Sequence, residues 1–405
     1  MNYSAQEVLQ YIEEEDVKFI RLAFCDIYGK QKNISIMSDK LSDAFKYGVA
    51  IDASAIDGFG NDTHYDLFLH PDPSTITVLP WRPEHGRVVR MFCDIKHPDG
   101  SVFEHDIRAL LKRTIANAKN LGYTFSFGSE IEFYLFKLDE YGNRTVEPYD
   151  NAGYMDIAPD DKGENVRREI CLTLEQMGIS PECSHHEEGP GQNEIVFKNS
   201  DPLTAADNAI TFCSVVKTIS AKNGLYADFS PRPLAGFPGN GFHINISVNE
   251  NNQGELLPHM ISGLLNKICD MTLFLNPSKK SYDRFGTNKA PLYISWSKEN
   301  RSQLIRIPSI PNGSKCLELR SADPTTNPYI AFTLLISACI YGIENKLSLP
   351  ESCEVNINTA DEETLSKYKK LPLSIDEAIQ MATNSEFITK ILPSSLIDTY
   401  CKNKS

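Results

Sequence analysis

Two carboxylates stand in the middle of a strand-like stretch, Phe127–Phe136, which reads FGSEIEFYLF. Strand side chains alternate between faces, so Glu130 and Glu132 point the same way while Ile131, Phe133 and Leu135 point the other. One face is made for a core; the other carries adjacent negative charges, and unless something cationic faces them one would take up a proton. The pattern recurs. In HHEEGPGQNEIVF, Glu187 precedes a Gly–Pro turn and Glu194 opens a strand. In GFHINISV, His243, Asn245 and Ser247 share a face opposite Ile244, Ile246 and Val248. In CLELR, Cys316, Glu318 and Arg320 share a face opposite Leu317 and Leu319. If these strands are neighbours, one polar face collects Glu130, Glu132, Glu187, Glu194, Glu318 and His243.

Such a set is oxygen-rich and has no thiolate, which suits Mg²⁺ or Mn²⁺ better than structural zinc. Mg²⁺ in turn implies phosphate, because it usually bridges carboxylates to nucleotide oxygens. Arg232, Arg284, Arg301, Arg306 and Arg320 lie in or near the same segments, and guanidinium is the usual partner of phosphate and carboxylate. Against this, a single Glu-x-Glu in a strand is most often a solvated face, and a single histidine most often structural. HHEEG is not the zinc-protease pattern, since Gly189–Pro190 stands where the second histidine would be needed. Gly239–Asn240–Gly241 is too short for a phosphate loop, and no GxxxxGK[ST] occurs, so ATP would not be held by a P-loop.

The elements that must position these residues follow from periodicity. A capping box, Ser4 with Glu7, opens a first helix. KFIRLAFCDIYGKQKNISI predicts two strands around a turn at Tyr28–Gly29–Lys30, and RVVRMFCDI a further strand. The Asp-, Gly- and Pro-rich region Ile51–Pro83 is expected to be mostly loop. IRALLKRTIANAKNLG predicts a long helix, with further helices over Glu164–Met177, Ala205–Lys222, His259–Phe274 and Tyr329–Glu344. Strands are expected at the opening stretch, QNEIVF, GFHINISV, YISWS and CLELR. The domains expected are 1–104, small and mostly β, and 105–405, a mixed α/β catalytic body.

The chain has 405 residues, 41% hydrophobic and 23% charged, ordinary for a globular protein with more than one core. Its net charge of −14 argues against nucleic acid and against anionic membranes as partners. No apolar run approaches a bilayer span, and MNYSAQEVLQYIEEE lacks the pattern of a signal peptide, so a cytoplasmic protein is expected. Ten cysteines without a CxxC pair fit reduced thiols.

Five blocks in order, GSEIEFYLF, HHEEGPGQNEI, GNGFHINIS, NRSQLIRIP and CLELRSADPTTNPY, resemble the glutamine synthetase family. The resemblance runs from about Asp26 to Tyr400, and YMDIAPDDKGENVRREICLTLEQMG is most similar to the shorter bacterial type I enzymes. It implies an α+β fold, a small β-grasp-like N-terminal domain followed by a larger catalytic domain on a curved antiparallel sheet. It implies one divalent metal held by Glu132, Glu187 and Glu194 and another by Glu130, His243 and Glu318. Glu182, Asn245 and Ser247 match nucleotide positions, Arg301 and Arg306 those that handle the transferred phosphate, and Gly239, Arg284 and Arg320 those that bind glutamate. Two or three Mg²⁺ or Mn²⁺ per site and ATP as co-substrate are implied, with active sites between subunits of a hexameric ring or dodecamer.

Several residues depart from the family pattern. In RFGTNKAP the flap is one residue shorter and Lys289 replaces the glutamate that helps take a proton from ammonium. The ammonium site keeps Asp52 and Tyr154, but its serine is Ala55 in IDASAID. Pro238 and Cys316 replace an asparagine and an arginine. The chain stops at LIDTYCKNKS without the tail that reaches an opposite ring, which weakens the expectation of a tight double ring. The leading function is therefore ligation of ammonia to the γ-carboxylate of glutamate. The alternative is a γ-glutamylamide ligase using a small organic amine, because a pocket short of two cation-holding groups has room for an alkyl group. An inactive ring-forming homologue is the weakest reading, since all six metal positions are intact.

Overall fold

A computed structural model describes residues 3–60, 66–82, 85–248, 253–309 and 315–402. Helix α1 (Ala5–Glu14) opens on the Ser4–Glu7 capping box. A sheet of six strands follows: β1 (Val17–Cys25), β2 (Gln31–Met37), β3 (Val49–Asp52), β4 (Asp66–Pro71), β5 (Thr77–Val78) and β6 (Arg87–Lys96), with α2 (Leu41–Tyr47) leading into β3. The order is β2-β1-β6-β4-β3, with β5 beside β6, and β1 runs parallel to β6. The region expected to be loop thus holds the end of β3 and all of β4 and β5. Leu67 and Leu69 of β4 are fully buried on alternate positions. The Asp and Pro residues that masked the strands sit in short turns beside them, where Asp52 and Asp72 cap Ser54 and Ser74. The part of Ile51–Pro83 at 61–65 lies outside the described residues, as does Pro83 itself.

After α3 (Ile107–Asn120) comes a nine-stranded sheet, built from β7 (Phe125–Leu138), β8 (Arg144–Pro148), β9 (Pro181–His186), β10 (Gln192–Phe197), β11 (Leu225–Asp228), β12 (Phe242–Val248), β13 (Trp296–Lys298), β14 (Ile305–Ile307) and β15 (Leu317–Leu319). The order β13-β14-β15-β12-β7-β10-β9, with β8 and β11 also on β7, makes the stretch first singled out the spine of the sheet. Every ladder is antiparallel except β13–β14 at one edge, so the sheet is mixed rather than purely antiparallel. The helices are α4 (Glu164–Gln176), α5 (Pro202–Lys222), α6 (Gln253–Leu275), the short α7 (Lys279–Tyr282) and α8 (Pro328–Glu344). Helix α6 starts six residues before the expected His259, with Pro258 inside it, a residue that normally marks a boundary. Four short helices between Glu362 and Lys402 close the chain. Phe127, Phe133 and Phe242 of the sheet meet Phe212 of α5 and Phe332 of α8, so the core lies between the sheet and these helices. No helix among the described residues is long and apolar enough to cross a membrane.

The two sheets are joined through Arg108 of α3. Its guanidinium donates to Asp207 of α5 at 2.9 and 3.0 Å and to Asp72 and Asp94 of the first sheet at 2.9 and 3.2 Å. Lys112 reinforces Asp72 and Asp94, and the Tyr329 hydroxyl donates to Asp207 at 2.6 Å.

Candidate active site

The ladder register stacks the polar residues of the second sheet into rows. Glu132 lies directly opposite Glu194, Glu130 opposite His243, Glu194 opposite His185, and Glu318 between Asn245 and Arg306. Two carboxylates paired across a ladder repel. Here both are buried, Glu132 at 8% and Glu194 at 6% exposure. Glu194 carries the consequence: burial and the fields of Glu132, Glu130, Glu187 and Glu318 push its carboxyl well above the usual range. Burial also raises Glu132, though His243 opposes it. Burial would raise Glu130 too, but the hydrogen bond and charge of His243, with the Asn245 amide at 2.8 Å, hold it at about 2. Glu187 is lowered against its burial, chiefly by a 3.0 Å hydrogen bond with His185.

Two groups have ligand atoms all within 4.8 Å of one another in this sheet: Glu130, Glu194 and His243, and His185, Glu187 and Glu194. They overlap with, but do not equal, the two sets expected. Glu318 is fully buried and held by Arg306 Nε and Arg320 Nη1, leaving its Oε1 3.8 Å from His243 Nδ1. Glu132 accepts from Gln192 Nε2 at 3.0 Å and from the Gly241 amide at 2.8 Å. Two arginines thus hold Glu318, and a side-chain and a backbone amide hold Glu132. His185 was not read as a candidate. The signal for it was present, since it lies two residues before Glu187 and therefore on its face. A third group, Asp150, Asp161 and His186, is buried but already satisfied: His186 meets Asp150 at 2.9 Å and the Glu187 carbonyl at 2.7 Å, and Asp161 meets Arg167. It is an internal ion-pair network under Glu187.

These carboxylates line one side of a cavity of about 910 Å³. That is ample for a nucleotide and an amino acid together. Arg284, Arg301, Arg306 and Arg320 line it as well, with Gly239, Tyr154 and Lys289. Arg284 is 2% exposed and holds the carbonyls of Ser321 and Ala322 at 3.0 to 3.5 Å, which fixes it in the wall. Gly239 has a reason of its own, because a Cβ there would come within 2.5 Å of both the Arg284 side chain and the Pro231 carbonyl. The flap residue Lys289 bonds Glu188 Oε1 at 2.5 Å, and its ammonium lies 5.2 Å from the Tyr154 ring centroid. The Tyr154 ring stands edge-on to His185, 5.3 Å away.

Five expected site residues are not on the wall of this cavity. Glu318 is fully buried behind it, held by Arg306 and Arg320. Asp52 is in the first sheet, exposed, and caps Ser54. Glu182 is exposed at a bulge in β9, where the ladder register slips and turns the side chain outward. Asn245 lies behind Glu130 and acts on it. Ser247 is two positions further along β12, opposite Ser126.

The donor set is hard: carboxylate oxygens with imidazole, no thiolate at the centre, and one carboxyl that its neighbours drive toward protonation. It fits divalent cations of the Mg²⁺ and Mn²⁺ kind.

Three comparisons bear on this geometry. The chain matches the glutamine synthetase beta-Grasp domain over residues 16–98 and the glutamine synthetase catalytic domain over residues 104–405. Among curated proteins it is 41% identical to a glutamine synthetase of Clostridium saccharobutylicum and 40% identical to one of Staphylococcus aureus, in each case over 100% of this chain and 94% of the relative. Among solved structures, one described as a GmaS/ADP complex superposes with a TM-score of 0.88, covering 100% of this chain and 95% of that one, at 24% identity. The last shares the fold.

Proposed function

The chain belongs to the glutamine synthetase family, and on that premise we propose how its cavity carries out the ATP-dependent ligation of ammonia to the γ-carboxylate of glutamate. The observation that carries the reading is the buried pairing of Glu132 with Glu194, an excess of negative charge beside a wall of arginines in a cavity of nucleotide size. Two or three Mg²⁺ or Mn²⁺ ions would be held by Glu130, Glu132, Glu187, Glu194, His243 and Glu318, with His185 added from the geometry. When bound, such ions neutralise charge on the phosphoryl oxygens.

The protein's own groups do the rest. Arg284, Arg320 and the Gly239 backbone hold glutamate, with its γ-carboxylate toward the arginines. A γ-carboxylate oxygen attacks the terminal phosphorus of ATP, the bond to ADP breaks, and Arg301 and Arg306 neutralise the oxygens in transit. The nitrogen lone pair then attacks the acyl carbon and phosphate leaves with the bonding electrons. Asn245 is a positioning residue, holding Glu130 through Oε1. We assign no role to Ser247 or Glu182. Asp52 would reach the site from a neighbouring subunit of a homo-oligomer, where it would take the proton released by the attacking nitrogen.

Glu188 and the Tyr154 ring already hold one cation, the ammonium of Lys289. We take them as the place where the incoming amine is received, so that substrate must displace a side chain of the flap. This favours ammonia, the smallest amine, and it is also the observation on which the second reading rests, since a displaced Lys289 leaves room for an alkyl group. Phosphate release from ATP and glutamate, with ammonia, methylamine or ethanolamine in Mg²⁺ or Mn²⁺, separates the two. Ammonia is expected to give the highest kcat/KM. A larger amine giving a higher value would hand the site to the amide-ligase reading, and no release with any amine would sink both. Mixed Asp52→Ala and Glu318→Ala chains should regain activity if the site is shared between subunits.

A further inference from the structure

On the face of the first sheet turned toward α5, two cations stand together in a cavity that no described Asp or Glu lines. Arg21 of β1 and Arg90 of β6 are register partners in the parallel ladder, so their side chains leave the sheet next to one another. Like charges so placed repel. Arg90 is 7% exposed, and its Nη1 is buried with no hydrogen-bond partner. Its guanidinium lies against the Phe92 ring, 4.0 Å from the centroid, which satisfies a face of the group but none of its N–H donors. Burial pulls it down to about 10 even though Asp207 supports its charge. Arg21 is lowered too, by burial and by Arg82. An unmet N–H on a buried cation is expensive, and chains normally place a carboxylate there. The neighbouring Arg108 junction has three, one of which, Asp207, also supports Arg90.

The two guanidinium groups line a cavity of about 120 Å³. Gln31 and Asn33 of β2 and Trp81 complete the sheet side, and Thr211 and Ser214 of α5 close the other. No Asp or Glu is among the described residues that line it, in a chain whose net charge is −14. The Gln31 Oε1 is buried without a partner, and turning that amide over would present a donor instead. The volume is roughly that of four waters, enough for one tetrahedral oxyanion and too small for a nucleotide. Paired guanidinium groups with hydroxyl and amide donors around them are the usual recognition set for phosphate, sulfate and carboxylate.

We propose that this cavity between the first sheet and α5 is a binding site for a small oxyanion, separate from the catalytic cavity. The anion accepts from Arg21 and Arg90 on the sheet and from Ser214 on α5, so it bridges the two halves of the chain. It shares no lining residue with the carboxylate cavity.

The test uses the full chain with sodium phosphate, sulfate and acetate, against sodium chloride at matched ionic strength, in chelator-treated buffer. Thermal unfolding and tryptophan emission are followed together, since Trp81 lines the cavity and Trp296 is the only other tryptophan. Phosphate and sulfate are expected to raise the unfolding midpoint and shift the emission, both saturably, and Trp81→Phe should remove the emission change. Arg21→Gln should weaken the apparent affinity by about tenfold or more, the loss of one charged contact, without changing phosphate release by the enzyme. Arg90→Gln should abolish the response; if that variant does not fold, the half-buried Arg21 decides the matter. Acetate acting as well as phosphate would support the site and name a carboxylate as its ligand. Wild type and Arg21→Gln responding alike would overturn the proposal, because the anion would then sit in the catalytic cavity. So would a wild type indifferent to every anion whose oligomer falls apart on Arg21→Gln, since the cations would then meet an acidic group of another subunit. None of these outcomes depends on which amine the catalytic site uses.

Discussion

Two buried charge clusters in this chain are built on opposite plans. At the junction of the sheets, Arg108 and Lys112 meet Asp72, Asp94 and Asp207, and each carboxylate has a cation within about 3 Å, several at 2.7 to 2.9 Å. In the cavity of the second sheet, Glu132 faces Glu194, and Arg306 and Arg320 pair with Glu318 rather than with either. The first cluster is complete as folded and holds two halves together. The second carries an excess of carboxylates, which the divalent cations proposed above would balance. The cavity at Arg21 and Arg90 is the inverse of the second, cations short of anions. Charge balance therefore separates the junction from the two cavities better than burial does, since all three clusters mix buried and half-buried groups.

The contrast can be broken most forcefully at Glu194. Glu194→Gln should lower phosphate release about a thousandfold while leaving thermal stability unchanged or higher, because it removes a ligand and a repulsion at once. A loss of stability comparable to that of a junction variant would erase the distinction. Arg108→Met should do the reverse, costing about 3–5 kcal/mol in urea unfolding because it strands buried carboxylates, with turnover per folded molecule little changed. Saturating Mg²⁺ or Mn²⁺ should stabilise the wild type by about 2–3 kcal/mol, as expected for ligand at a hundred times its Kd, and Glu194→Gln much less. Scanning calorimetry with and without chelator checks this.

The junction also has a pH signature. Asp72 is buried, which alone would raise its carboxyl, but Arg108, Ser74 and Lys112 hold it at about 2, against an ordinary value near 4. A group depressed in the folded state adds stability above its unfolded pKa and loses it as pH falls, here between about 4 and 2. The amount is about 1–2 kcal/mol after allowance for solvent screening. Asp72→Asn should flatten the acid limb of a stability–pH curve in that window. The smallest effect on folding belongs to Lys289→Ala. Its pair with Glu188 is solvent-exposed and should be worth less than about 0.5 kcal/mol. Its kinetic effect should be a lower KM for ammonia at unchanged kcat if the side chain competes with substrate for Glu188 and Tyr154.

Much of this was legible from alternation. The period of two along FGSEIEFYLF and GFHINISV assigned one face to the core and one to chemistry, and the apolar side packs as that pattern requires. The region Ile51–Pro83 was not legible, because the short strand β4 is flanked by turn residues whose composition outweighs two buried leucines. The start of α6 was hidden by Pro258. Within the site, His185 is hard to read because HHEEG has the look of a broken zinc-protease pattern, and only strand geometry makes His185 a continuation of the face of Glu187. The outward turn of Glu182 came from a bulge, which shifts register by one residue and leaves no mark in residue type.

By themselves, the residues determined that acidic and basic side chains would share one face of a sheet, because side-chain direction in a strand is local geometry set by chain period. They could not determine which carboxylates would oppose each other, that Arg306 would lie opposite Glu318, or that Arg21 and Arg90 would be register partners. Those are matters of register between strands far apart in sequence. Strand pairing is set by how the whole core closes, and only the assembled fold decides it.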